Sequence, residues 1–149
     1  EGAVRPQFRQ IDISKLITNQ TLSFYDAFQE EGIDLQVNLQ EGLVLETDPE
    51  ILERIVQNML SNVLKHGKET AQISLTRTDR SILLSVKNVV RQPIQYLEKL
   101  TNRFYSENLS NAEESSGLGL YITQQLVEIL QGQLEMKAED VWFELLIRL

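Results

Sequence analysis

The order of hydrophobic patterns predicts an α+β fold: a two-layer α/β sandwich whose mixed, mostly antiparallel sheet is covered by three helices. Three observations carry this. Ile33, Leu35, Val37 and Leu39 alternate with polar residues, as do the runs Ala71 to Thr76 and Ile82 to Val86, and a period of two is that of a half-buried strand. Between them, Ile51 to Gly67 repeats its apolar residues at spacings of three and four, the period of a helix. The whole order is helix, two strands, helix, two strands, loop, helix, two strands. Antiparallel hairpins interleaved with helices favour this sandwich over a doubly wound sheet.

Each element has its own justification. Residues 1–9 are polar and include Pro6, and they read as a linker remnant ahead of one domain over residues 10–149. Gln10 to Ile13 alternates weakly, as a short edge strand does. Ser14 is placed to cap a helix that runs to about Glu31, with Leu16, Ile17, Leu22, Phe24, Ala27 and Phe28 turned inward and Gly32 as its stop. The strand Ile33 to Leu39 then turns at Gly42 into a short partner strand, Leu43 to Glu46. Thr47-Asp-Pro-Glu50 starts the next helix: Thr47 with Glu50 fits a capping box, and Asp48 capping ahead of Pro49 fits equally well. That helix ends at Gly67. Ala71 to Thr76 and Ile82 to Val86 form a hairpin around Asp79-Arg80. Pro93 breaks the pattern, and Ile94 to Leu100 reads as a short helix. Ser106 to Ser116 has little to bury and reads as a mobile loop. Gly117-Leu-Gly-Leu120 closes that loop, a helix follows from Leu120 to Leu130 with Gly132 as its stop, and Leu134 to Ala138 and Val141 to Ile147 are the last strands. Trp142 and Phe143 belong to the core or an interface.

Composition narrows the function. The chain has 149 residues, 42% of them apolar, enough for one ordinary core. It has no Cys and one His, which excludes disulfides and thiolate metal sites. There is no run of 18 apolar residues and no visible signal peptide, so the segment reads as soluble, whether alone or within a longer membrane-bound protein. A net charge of −8 argues against a broad nucleic-acid surface or an anionic membrane. It leaves room for a small anion, which needs only local cations, a helix N-terminus or a bound Mg²⁺.

The helix over residues 51–67 carries the chemistry. Asn58 and Asn62 are four residues apart and Lys65 follows three later, so all three share one face beside the apolar band. Asparagine is a poor mid-helix residue, and an oxygen-rich ligand is one reason to keep two. An amide oxygen can ligate Mg²⁺ and an ammonium can meet a phosphate. The bland alternative is a solvated face. Gly117-Leu-Gly-Leu120 ahead of a helix suits a phosphate, because glycine admits close backbone approach and the first helical N–H groups lack partners; a plain turn into a helix reads the same way. His66, on the last turn, suits a capping or ligand-rim role. The sequence contains no Ser/His/Asp set, Walker-type loop or HExxH.

Together these segments resemble the ATP-binding catalytic domain of bacterial sensor histidine kinases, in the gyrase/Hsp90-like superfamily with its Bergerat-type ATPase fold. Leu52 to His66 is similar to the N box, N-L-L-x-N-A-x-K-H/Y. By that resemblance Asn62 is the Mg²⁺ ligand, Asn58 the preceding Asn, Lys65 the phosphate contact, and His66 a residue near the nucleotide. Leu100-Thr-Asn-Arg-Phe-Tyr105 resembles the F box, which brings in Phe104 and Tyr105, and Gly117, Leu118, Gly119 and Leu120 resemble the G2 box. One motif departs. The G1 box is D-x-G-x-G, whereas Asn88 stands at the Asp position here, with Val90 and Gln92 at the glycines and Ile94 just beyond. An Asn still accepts a hydrogen bond from an adenine amine, without the charge.

The resemblance implies ATP and Mg²⁺ as ligands. It implies transfer of the γ-phosphate to a His on a separate dimerisation domain of the same full-length protein, a response regulator downstream, and a cytoplasmic placement within a membrane-bound sensor. It also implies that the isolated domain is a monomer. Two alternatives stand beside it: a degenerate domain that docks or regulates without nucleotide, and a serine kinase of the anti-sigma-factor type.

Overall fold

A computed structural model describes residues 5–91 and 111–149, the side chains of 111–119 excepted. The elements in order are β1 (Arg9–Asp12), α1 (Ile13–Ser23), α2 (Tyr25–Glu30), β2 (Asp34–Leu39), β3 (Val44–Thr47), α3 (Pro49–His66), β4 (Gly67–Arg77), β5 (Ile82–Val90), α4 (Asn111–Ile129), β6 (Gln133–Glu139) and β7 (Trp142–Arg148). A five-stranded sheet runs β2-β4-β5-β7-β6, and β1 and β3 form a separate pair. The sheet is antiparallel except between β2 and β4. It is therefore the mixed, mostly antiparallel sheet of a two-layer sandwich.

The helices lie on one face of this sheet. Ile73 and Leu75 of β4, Ile82, Leu84 and Val86 of β5, and Leu145 and Ile147 of β7 are buried against Leu52, Ile55, Met59 and Leu60 of α3 and Leu126 and Val127 of α4. On the other face, Ser85 Oγ donates to Glu144 Oε2 at 2.6 Å and the Lys87 ammonium lies 4.9 Å from the Trp142 ring centre. Alternation thus sends apolar side chains inward and polar ones to the uncovered face, as the strand pattern requires.

Pairing departs from the expectation at β3. Val44 to Thr47 does not return against Ile33 to Leu39; it pairs antiparallel with β1, Arg9 opposite Thr47. β2 instead lies parallel to β4, Leu35 opposite Ala71. A parallel pair needs a long crossover, which β3 and α3 supply.

The first helix is also two helices. Thr21 Oγ1 donates to Ile17 O at 2.8 Å and Ser23 Oγ to Gln20 O at 2.7 Å, and hydroxyls that bond back to the helix compete with its ladder and bend it. Its cap is Asp12, whose Oδ1 accepts the Lys15 N–H at 3.0 Å, rather than Ser14. Ser14 is buried and does something else: its hydroxyl donates to Gln40 O at 2.6 Å and accepts the Leu43 N–H at 2.9 Å, tying the β2–β3 turn to α1.

β5 continues to Val90, four residues past the expected end. The most substantial difference is α4, which is helical from Asn111, so Gly117-Leu-Gly-Leu120 falls inside the helix rather than ahead of it. Ala112, Glu113 and Glu114 are good helix formers, and the segment's polarity concealed that propensity. The short helix expected over 94–100 and the part of the expected loop over 106–110 lie outside the described residues.

Candidate functional site

The helix α3 is fixed at both ends by named groups. At its start Asp48 is the cap: Oδ1 accepts the N–H groups of Glu50 at 2.9 Å and Ile51 at 3.2 Å, with Pro49 at the first helical position. Its second oxygen accepts the Gln7 N–H at 2.8 Å, so the entering chain is tied to the same carboxylate. Burial alone pushes the Asp48 carboxyl up. The three backbone donors Gln7, Ile51 and Glu50, with the Arg9 charge, outweigh that and hold its pKa below the usual aspartate value.

Along the helix the apolar stripe is Ile51, Leu52, Ile55, Val56, Met59, Leu60 and Val63, all buried. On one flank Gln57 Nε2 donates to Gln20 Oε1 of α1 at 2.9 Å. Asn58, Asn62 and Lys65 occupy the opposite flank by helical geometry. α4 also packs on α3, and with α1 on the first flank, α4 takes the second. Asn58 and Asn62 are half-buried there and Lys65 is exposed.

The end of α3 meets the end of β5. Gly67 follows the last turn, and a Cβ at Gly67 would stand 2.8 Å from Val63 O and 3.1 Å from Asn88 Nδ2. Glycine is required by that approach. Asn88 is 2% exposed and lies in the core-facing row between Ala71 and Phe143. Its Nδ2 donates to Val89 O at 2.9 Å, which leaves Oδ1 as the acceptor end of the carboxamide. His66 is half-buried, and its backbone carbonyl accepts the Arg91 N–H at 3.1 Å.

Asn58, Asn62, Lys65, His66 and Asn88 therefore lie along one helix flank and the strand end below it. Val90 does not line an open loop: it is buried in the core, and its N–H donates to Val141 O at 2.7 Å. Leu120 is likewise a core side chain. Gly117, Leu118 and Gly119 are described only as helical backbone of α4, and Ile94, Gln92, Phe104 and Tyr105 lie outside the described residues. Among the described residues no group of three or more His, Cys, Asp or Glu could hold a metal ion. Sequence reasoning missed Arg91, for which no residue-type rule gives a signal. A groove of about 390 Å³ lined by Gln124, Glu128, Leu134 and Arg148 lies at the opposite end of the sheet. No helix among the described residues is long and apolar enough to cross a membrane.

A one-sided mixed sheet covered by helices is the architecture of ATPase domains of the gyrase and Hsp90 kind. The chain belongs to that family: the model described as histidine kinase-, DNA gyrase B- and HSP90-like ATPase matches residues 47–149. Among curated proteins it is similar to the sensor histidine kinase YcbM of Bacillus subtilis, 30% identical over 145 residues, 88% of this chain and 46% of that protein. The chain thus spans about half the length of this relative. Among solved structures, the catalytic domain of histidine kinase ThkA superposes with a TM-score of 0.82 at 19% identity, over 96% of this chain and 95% of that one. Full-length ShkA in complex with AMPPNP superposes with a TM-score of 0.82 at 18% identity, over 99% of this chain and 32% of that one. These structures share the fold.

Proposed function

We propose that this domain binds Mg²⁺-ATP between α3 and α4 and serves as the catalytic domain of a two-component sensor histidine kinase. The reaction so assigned breaks the β–γ phosphoanhydride bond and forms a bond from the γ-phosphorus to an imidazole nitrogen of a histidine on a separate dimerisation domain, with ADP leaving. A response regulator is the next acceptor. The observation that carries the reading is the Asn58–Asn62–Lys65 flank on the α4 side of α3, with the Asn88 amide at the strand end beneath it.

The residues present fit the ligand. Mg²⁺ is held by few protein groups plus phosphates and spreads the developing charge, so one carboxamide from Asn62 is sufficient. Asn58 would bind beside it and Lys65 would meet a phosphate. Asn88 offers its Oδ1 to the adenine amine, oriented by its own bond to Val89 O. Glycine at position 67 lets the end of α3 pack against the nitrogen side of that amide, where a Cβ would stand 3.1 Å from Nδ2. The resemblance adds Gly117 to Gly119 of the G2 box and Phe104 and Tyr105 of the F box to the nucleotide-binding residues. ShkA, of the same fold, is described with the ATP analogue AMPPNP.

Val90, buried where the family motif has glycine, favours a second reading in which the domain docks without nucleotide. Calorimetric titration with Mg²⁺-ATP decides between them. Heat that saturates, and that disappears for Asn62→Ala (N62A) or with EDTA while the variant still unfolds cooperatively, is the expected result. Silence at millimolar nucleotide selects the second reading.

A further inference from the structure

Three elements converge on Arg91, just past β5. Its backbone N–H donates to His66 O at 3.1 Å, its Nε donates to Gly67 O at 3.1 Å, and its guanidinium stands 3.8 Å from Glu31 just beyond α2. The two carbonyls belong to the last turn and cap of α3, the negative end of the helix dipole, where a cation is favoured. The bond to Gly67 O is partly buried, whereas both members of the ion pair are about half exposed (53% and 52%). An exposed pair contributes little, so the directional bond to Gly67 O is the part that fixes geometry.

We propose that Arg91 is a positioning residue that sets the distance between the base-reading amide of Asn88 on β5 and the phosphate-facing amides of α3. The inference rests on the nucleotide-binding reading above. Asn88 is three residues before Arg91 on the same chain, and Gly67, which Arg91 holds, is the residue whose close approach shapes the space beside Asn88. Val and Gln stand at positions 90 and 92, where the family motif has glycines, and Arg91 between them is held by both its backbone N–H and its side chain. A ligand that spans both ends depends on their spacing. A ligand that touches only α3 does not.

The test compares wild type, Arg91→Gln (R91Q) and Glu31→Gln (E31Q), titrating each with Mg²⁺-ATP and with Mg²⁺-tripolyphosphate, which lacks a base. R91Q is expected to weaken ATP by about tenfold, the size of one charge-assisted hydrogen bond, and to leave tripolyphosphate within about twofold. E31Q is expected to bind both as wild type does. Equal weakening of both ligands by R91Q, or no weakening of either, overturns the inference. Backbone amide exchange of the ligand-free proteins provides an arm that needs no nucleotide: R91Q is expected to speed exchange over residues 64–68 and 88–91 and to leave β6 unchanged. Exchange identical to wild type in both segments also overturns it. If wild type binds neither ligand, the functional reading falls, and the exchange arm alone decides the clamp.

Discussion

Asp48 shows how much one carboxylate can organise. It caps α3 through Oδ1 and holds Gln7 through Oδ2, and these donors keep its pKa below the ordinary value. A carboxyl whose folded pKa is depressed stabilises the fold above its unfolded pKa, roughly pH 4, and loses that contribution as pH falls through the folded value. Asp48→Asn keeps an oxygen for the cap but cannot accept the second N–H while its Nδ2 occupies that place. Urea unfolding should find the variant less stable by about 1 kcal/mol at neutral pH, with the gap closing as pH falls below roughly 4. A gap independent of pH would mean the carboxylate charge is irrelevant. At this scale the sequence was partly legible. Asp48 before Pro49 announced a cap, and Asn58, Asn62 and Lys65 announced a face. Arg91 announced nothing, because its partners are backbone carbonyls of residues 24 and 25 positions earlier, and no spacing rule spans that distance.

Elements were legible by period and illegible by partner. Alternation fixes which side chains of a strand point inward, and β4, β5 and β7 do so as expected, whereas on the edge strand β2 Leu35 is buried but Val37 is 50% exposed. It does not say which strand lies beside which, so β3 was given to β2 although its partner is β1. Helix ends follow the same division. Gly32, with φ 71°, closes α2 as a left-handed glycine should, with Ile33 N–H returning to Phe28 O at 2.9 Å. Gly132 was expected to do this for α4, but Gln131 takes the left-handed position with φ 64°, and Gly132 is needed for another reason: a Cβ there would lie 2.7 Å from Arg148 O. A side chain in that conformation costs about 1 kcal/mol. Gln131 is exposed, so Gln131→Gly should raise stability by roughly that amount in urea unfolding. A loss would show that the Gln131 side chain contributes contacts worth more than its strain.

At the scale of the molecule the chain carries a net charge of −8 and yet is read as holding a polyanion. The contradiction is local. The charge is spread over a surface where salt screens it beyond about 8–10 Å, while the proposed binding groups are amide dipoles, one lysine and the ion that travels with the nucleotide. Binding to the native state alone then stabilises the whole domain by RT ln(1 + [L]/Kd), about 2.7 kcal/mol at a hundredfold excess over Kd. For a domain of this length that is a rise in Tm of about 5–10 °C. Thermal unfolding in Mg²⁺-ATP should show it, with most of the rise lost in EDTA and little of it present in N62A. The three conditions separate the readings, since a degenerate domain would melt at one temperature throughout. A rise that survived EDTA and N62A alike would place the nucleotide somewhere other than the Asn58–Lys65 flank of α3.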